Sequence, residues 1–427
     1  MEVLPAVSVR GAAALPGDKS ISHLAVLVGA VCDGELEVTG FGRSLDTGST
    51  ISAVRALGVE VEEEAPDALR VRGVGLHGLR EPTGAIDCGN AGTLARLLPG
   101  LLAGQEGRRF ELTGDESLSS RPMERVAAPL REMGASVETT EGRLPLLVGG
   151  ADLDAIEHTP EAASAQVKSC VLLAGLYARG VTSVIELMPT RDHTERLLRA
   201  AGAKVVRRGN RVSVRAVESL RLPSLEVPGD VSATAPFVLA ATLLPGSELI
   251  LRGIGMNPAR TGFLHVLERM GARISSFNRR VQSGEPVADL EVAHAELVAT
   301  EISPSEVPAM IDELPLFCLA AAMAHGTSRV RGAGELRKKE SDRIESVTSA
   351  LRAIGLHVAG TADGFRIRGV PARPRGGVVD AGGDHRIAML GAIAGLVSRD
   401  GVRVEDADCA AVSFPGFFDL LDSLASR

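Results

Sequence analysis

Tryptophan is absent and aromatic residues make up only 3% of the 427 residues, although 45% of the chain is apolar. Large ring-on-ring cores are thereby excluded, and helices and sheets must pack through Ala, Leu, Val and Gly. The five cysteines are scattered, odd in number and without a CxxC pair, which argues against structural disulfides and zinc sites and for a reducing compartment. No Lys/Arg run exceeds three residues and the net charge is −8, so nucleic acid is not an expected partner and any basic site must be local. The N-terminal MEVLPAVSV lacks the basic and apolar regions of a signal peptide. Strongly apolar stretches such as Ala235 to Pro245 are too short to span a bilayer, so no membrane association and a cytoplasmic location are expected.

What is present is a repeat. A polar motif, an Ala/Leu-rich run, a glycine turn and an alternating strand recur, with turn glycines at 34, 107, 180, 246, 326 and 401. Between them lie amphipathic helices that end in Gly followed by an apolar-x-apolar strand start, at Gly58, Gly134, Gly202, Gly271 and Gly355. The sixth copy is cut short at Phe414 to Leu424. Strands such as ELEVTG and RFELTG alternate with period two, so each sheet covers one apolar face. Runs such as PFVLAATLL are apolar on every side and must be buried helices. The pattern predicts an α/β protein of two lobes, three repeats each, with helices inside and sheets outside. The first lobe is expected over residues 15–226, and the second over 1–14 with 227–427. Ser275 to Ala293, the least patterned stretch, reads as a surface excursion.

The buried helices open with Lys19-Ser20-Ile21-Ser22-His23, Asn90-Ala91-Gly92-Thr93, Ser164-Ala165-Gln166-Val167-Lys168, Asp230-Val231-Ser232, Asp312-Glu313 and Asp384-His385-Arg386. Ser, Asn and Asp there are ordinary caps. Lys19, Lys168 and Arg386 run against the helix dipole and call for an anionic partner. Arg121, Arg191, Arg260 and Arg343 recur at equivalent points ahead of the second helix set, where guanidinium groups could clamp carboxylates and phosphates. A basic set of helix heads in an acidic protein points to a small polyanionic substrate. Asp312 and Glu340 are then the carboxylates suited to proton handling. Cys88, Cys170 and Cys318 read as core residues, and Glu62 to Glu64 with Arg207-Arg208 as solvated surface.

LPGDKSIS, GNAGT with Arg96, SRPMERV, ASAQVKS, TRDHTERLL, VPGDVSA, NPARTG, IDELP, KKESDR and GGDHRIAM occur in this order between residues 15 and 389. At these residues the chain resembles the enolpyruvyl transferase family, within it the members acting on shikimate 3-phosphate. The resemblance implies a two-lobed inside-out α/β barrel of six βαβαββ repeats, lobe closure on substrate, and an active site in the interlobe cleft. It implies transfer of enolpyruvyl from phosphoenolpyruvate to the 5-hydroxyl of shikimate 3-phosphate, with release of phosphate and no metal or organic cofactor, by a monomer. Carried over by motif, Lys19, Gly92, Arg121, Gln166, Arg343 and Arg386 bind phosphoenolpyruvate. Lys19, Ser20, Ser164, Ala165, Gln166, Arg191, Asp312 and Lys339 bind shikimate 3-phosphate, and Lys19, Asp312 and Glu340 are catalytic. Ser119-Ser120-Arg121-Pro122 lacks the cysteine typical of the family members that act on UDP-N-acetylglucosamine. Two positions depart from the pattern: Leu24 stands where the family has an arginine toward the shikimate moiety, and Val412 where some members carry a lysine. Leu24 raises the alternatives of an impaired paralogue or a different anionic acceptor.

Overall fold

The computed structural model describes residues 1–427, which divide into two compact units. The first comprises Gly17–Val227 with Gln282–Glu285; the second comprises Met1–Pro16, Pro228–Val281 and Pro286–Arg427. Each unit has its own hydrophobic core.

The first unit carries three four-stranded sheets of one design. In the second of them, Ile86–Asp87 runs parallel to Arg109–Thr113, which pairs antiparallel with Arg143–Gly149, itself antiparallel to Ser136–Thr140. The sheet built on Val181–Ile185 repeats this pattern. So does the sheet built on Asp33–Thr39, whose parallel edge strand is Ser224–Glu226 from the far end of the unit. Alternating residues of these strands face inward, as a period-two pattern requires.

Three helices fill the interior. In Lys19–Ala30 every residue from Ile21 onward is buried, and Gly92–Leu102 and Ala165–Ala174 are almost as enclosed. Packing through small residues replaces the missing aromatics. A Cβ on Gly100 would lie 2.3 Å from the Cys170 carbonyl oxygen, so only glycine lets these two helices cross so closely.

The second unit repeats the scheme around the buried helices Val231–Leu243, Leu314–Ala322 and His385–Val397. Its first repeat takes its parallel strand from the N-terminus, where Ser8–Ala14 pairs with Glu248–Gly255. In its last repeat Gly377–Asp380 runs parallel to Val402–Glu405, and Glu2–Val3 occupies the antiparallel side where a final hairpin is missing. Four of the chain's ten phenylalanines gather where that repeat is cut short: Phe237, Phe414, Phe417 and Phe418 stack edge-on or tilted at centroid distances of 5.3–6.2 Å.

One expectation fails. Ser275 to Ala293 is no loose excursion but lies in a hairpin, Arg273–Gln282 and Glu285–Ala293, whose second strand buries Val287, Ala288, Leu290 and Val292. Its charged, largely exposed first strand hides the alternation in sequence. No helix is long and apolar enough to cross a membrane.

Candidate active site

In the first unit, Asp18 caps the helix Lys19–Ala30 by accepting the Ile21 N–H at 3.0 Å, which leaves Lys19 as its first residue. The Lys19 ammonium lies 2.7 Å from Asp46 Oδ2, at the head of Leu45–Ala56. One turn on, His23 is fully buried with Nδ1 2.6 Å from the Thr50 hydroxyl. Burial lowers its pKa to about 4, with Asp46 opposing and Lys19 assisting, so the ring is neutral at neutral pH.

Two guanidinium groups flank Gly92, the first residue of Gly92–Leu102. A Cβ there would stand 3.2 Å from Nη1 of both Arg121 and Arg96. Arg121, itself buried, donates from Nη2 to Asn90 Oδ1 at 2.7 Å and to the Ser117 hydroxyl at 3.1 Å. Arg96 donates to Gln166 Oε1 at 2.8 Å, and Gln166 donates back to Thr93 at 3.1 Å. The amide of Gln166 is thus fixed between two helix heads. Ser164 caps its own helix through the Val167 N–H, Ala165 is the first helical residue, and Ser20 and Arg191 are part-exposed at the heads of theirs.

In the second unit, cations and carboxylates interlock. Arg343 is buried, and its guanidinium donates to Asp384 through Nε and Nη2, to Glu340 at 2.6 Å and to Asp312 at 3.5 Å. Burial works against this cation, but Asp384, Glu340 and Asp312 outweigh it and raise its pKa. Burial likewise opposes ionisation of Asp384, and Arg343 outweighs it, so that carboxyl is held below the usual range. Lys339 donates to Asp312 at 3.1 Å. Arg386 reaches the Ser232 carbonyl at 3.5 Å and lies 3.8 Å from Glu313. Asp312, Lys339, Glu340 and Arg343 therefore form one group, and Arg386 lies with Ser232 and Glu313. Lys19 and Asp46 form another group, and Gly92, Arg96, Arg121 and Gln166 a third.

The family model for EPSP synthase (3-phosphoshikimate 1-carboxyvinyltransferase) matches residues 4–421. The chain belongs to the EPSP synthase family. A 3-phosphoshikimate 1-carboxyvinyltransferase of Geobacter sp. (strain M21) is 48% identical over 427 residues, covering 100% of this chain and 99% of that protein. The EPSP synthase structure from Acinetobacter baumannii is 40% identical with a TM-score of 0.88, covering 99% of this chain and 98% of the other. An enolpyruvyl transferase of Streptomyces tendae, 18% identical over 99% of this chain and 96% of its own, has a TM-score of 0.80 and shares the fold.

Within this EPSP synthase family member, several functional neighbours were hidden from sequence reasoning. Asp46 supplies the anion that Lys19 requires against its dipole, and nothing in the motif around Lys19 points to it. The partners of Lys168 are Glu186 and Glu195, at 2.8 and 2.7 Å. Arg207 is not simply solvated surface, because its Nη2 reaches Glu186 at 2.6 Å and Glu195 at 3.3 Å. The signal for these pairs was the unpaired helix-head cation; sequence alone could not say which carboxylate meets it. Leu24 is 3% exposed and packs in the first unit's core.

Proposed function

We propose that the chain transfers the enolpyruvyl group of phosphoenolpyruvate to the 5-hydroxyl of shikimate 3-phosphate, releasing phosphate, as a step of aromatic amino-acid biosynthesis. The observation that carries this is membership of the EPSP synthase family over residues 4–421, with cations held at successive helix heads. In this reading Lys19, Gly92, Arg121, Gln166, Arg343 and Arg386 receive phosphoenolpyruvate. Lys19, Ser20, Ser164, Ala165, Gln166, Arg191, Asp312 and Lys339 receive shikimate 3-phosphate.

Protonation of the methylene carbon of phosphoenolpyruvate makes C2 electrophilic. The 5-hydroxyl then adds and gives up its proton, forming a tetrahedral intermediate. Loss of phosphate, with return of a methyl proton to a base, restores the double bond in the product. Asp312, Glu340 and Lys19 handle these protons, and a single guanidinium, Arg343, links the two carboxylates. The intermediate carries several negative charges, so fixed cations stabilise it more than either substrate. Five free cysteines support a reducing, cytoplasmic setting.

The test is to incubate the purified protein with both substrates and identify the product by mass. A product equal to the two substrates less phosphate is expected. Binding of both substrates with no such product would overturn the reading in favour of a non-catalytic relative.

A further inference from the structure

Four charged side chains of the first unit meet in the first turns behind two of the helix heads. Lys168, 1% exposed, lies between Glu186 and Glu195, and Arg207 closes the group from the outside. Isolated buried charges are costly, so a cluster of this kind calls for a reason. Its geometry supplies one. Glu186 Oε1 accepts the Thr190 N–H at 3.0 Å and the Thr190 hydroxyl at 2.5 Å, while Lys168 donates to the Thr190 carbonyl at 3.5 Å. Both peptide groups of the residue preceding Arg191 are therefore tied to the cluster. Lys168 sits one turn below Ser164, since its own N–H donates to the Ser164 carbonyl at 3.2 Å. Glu195 belongs to the helix that Arg191 precedes, and the Ser169 and Thr194 hydroxyls join the same two helices at 2.7 Å. Burial works against ionisation of Glu186, but Lys168, Thr190 and Arg207 outweigh it and hold the carboxyl below its ordinary range.

We propose that Lys168, Glu186 and Glu195 are positioning residues that fix Arg191 relative to the Ser164–Gln166 helix head, and so set the grip on shikimate 3-phosphate. This rests on the reading that Arg191 binds that substrate. None of the three touches the substrate itself. They act through the Thr190–Arg191 peptide and through the spacing of two helices.

The measurement is steady-state kinetics of Lys168→Met, Glu186→Gln and Thr190→Val beside Arg191→Ala. Thr190→Val keeps every charge in place and so remains informative where a charge variant fails to fold. A purely structural role lowers the folded fraction, which reduces apparent kcat and leaves both KM values alone. A displaced Arg191 raises KM for shikimate 3-phosphate instead. A misplacement near 1 Å can cost on the order of a hundredfold, so a rise of about tenfold or more is expected for Lys168→Met and Glu186→Gln. Thr190→Val should give a smaller rise, with KM for phosphoenolpyruvate unmoved in all three. If Arg191→Ala raises KM for shikimate 3-phosphate while Thr190→Val and the folded charge variants do not, the positioning role is wrong and the substrate reading stands. If Arg191→Ala leaves it unchanged, the substrate reading fails and takes the positioning role with it.

Discussion

Arg343 grips Asp384 with two parallel hydrogen bonds, Nε to Oδ2 at 2.8 Å and Nη2 to Oδ1 at 3.1 Å, and both residues are shut away from solvent. The carboxylate also caps the helix His385–Val397 through the Arg386 N–H at 2.9 Å and accepts from Ser341 at 2.9 Å. One buried anion thus holds Arg343, a helix head and the backbone of Arg386.

Removing that anion leaves the Nε donor of a buried cation unsatisfied while Glu340 and Asp312 still face its other nitrogens, which costs about 1–3 kcal/mol. Asp384→Ala is expected to lower the unfolding free energy of the second unit by that amount in denaturant titrations. The pH dependence has a definite sign. The folded pKa of Asp384 lies below its unfolded value, so its contribution is complete above about pH 4 and is lost as pH falls below that. Asp384→Asn should flatten the acid limb; an unchanged acid limb would count against this role.

His23 gives a second pH signature in the first unit. Its pKa falls from 6.5 to about 4 on folding, so its contribution is complete above pH 6.5 and is lost as pH drops toward 4. The expected slope over that window is about 1.4 kcal/mol per pH unit. Nuclear magnetic resonance should show a His23 ring still neutral at pH 5, and His23→Gln should remove the slope. A His23 ring that titrates near 6.5 contradicts the burial argument.

Gly92 keeps Arg96 and Arg121 side by side. A methyl at 3.2 Å from both guanidinium groups must push at least one of them aside. Overpacking of this kind costs about 1–3 kcal/mol. Gly92→Ala should therefore raise KM for phosphoenolpyruvate, by about tenfold for each 1.4 kcal/mol of that strain carried by the bound state, with a smaller effect on shikimate 3-phosphate. Equal changes in both KM values would mean that Gly92 does not line the phosphoenolpyruvate site.

Much of this was legible in the sequence because the repeat writes the same instructions six times. Turn glycines, apolar runs and alternating strands are local signals, and they mark the six buried helices and their sheets. The helix-head cations were visible for the same reason, since Lys19 and Arg386 oppose the dipole they stand on. What stayed hidden was pairing at long range. Nothing local joins Lys168 to Glu195, or Arg343 to Asp384 across 41 residues of chain. The hairpin from Arg273 to Ala293 was missed because its outer strand carries charge on both faces. The strand Ser8–Ala14 lacks clean alternation, and nothing local names Glu248–Gly255 as its partner.

The proposed reading has the helix-head cations Lys19, Arg121, Arg343 and Arg386 serve one reaction. Its most direct test is the initial rate of phosphate release from phosphoenolpyruvate, with and without shikimate 3-phosphate, in the native chain and in Arg121→Ala and Arg386→Ala. Release should require both substrates and fall on the order of a hundredfold or more in each variant, as expected when a transition-state contact is lost. Native rates in either variant, or no release from the unaltered protein at millimolar substrate, would contradict it.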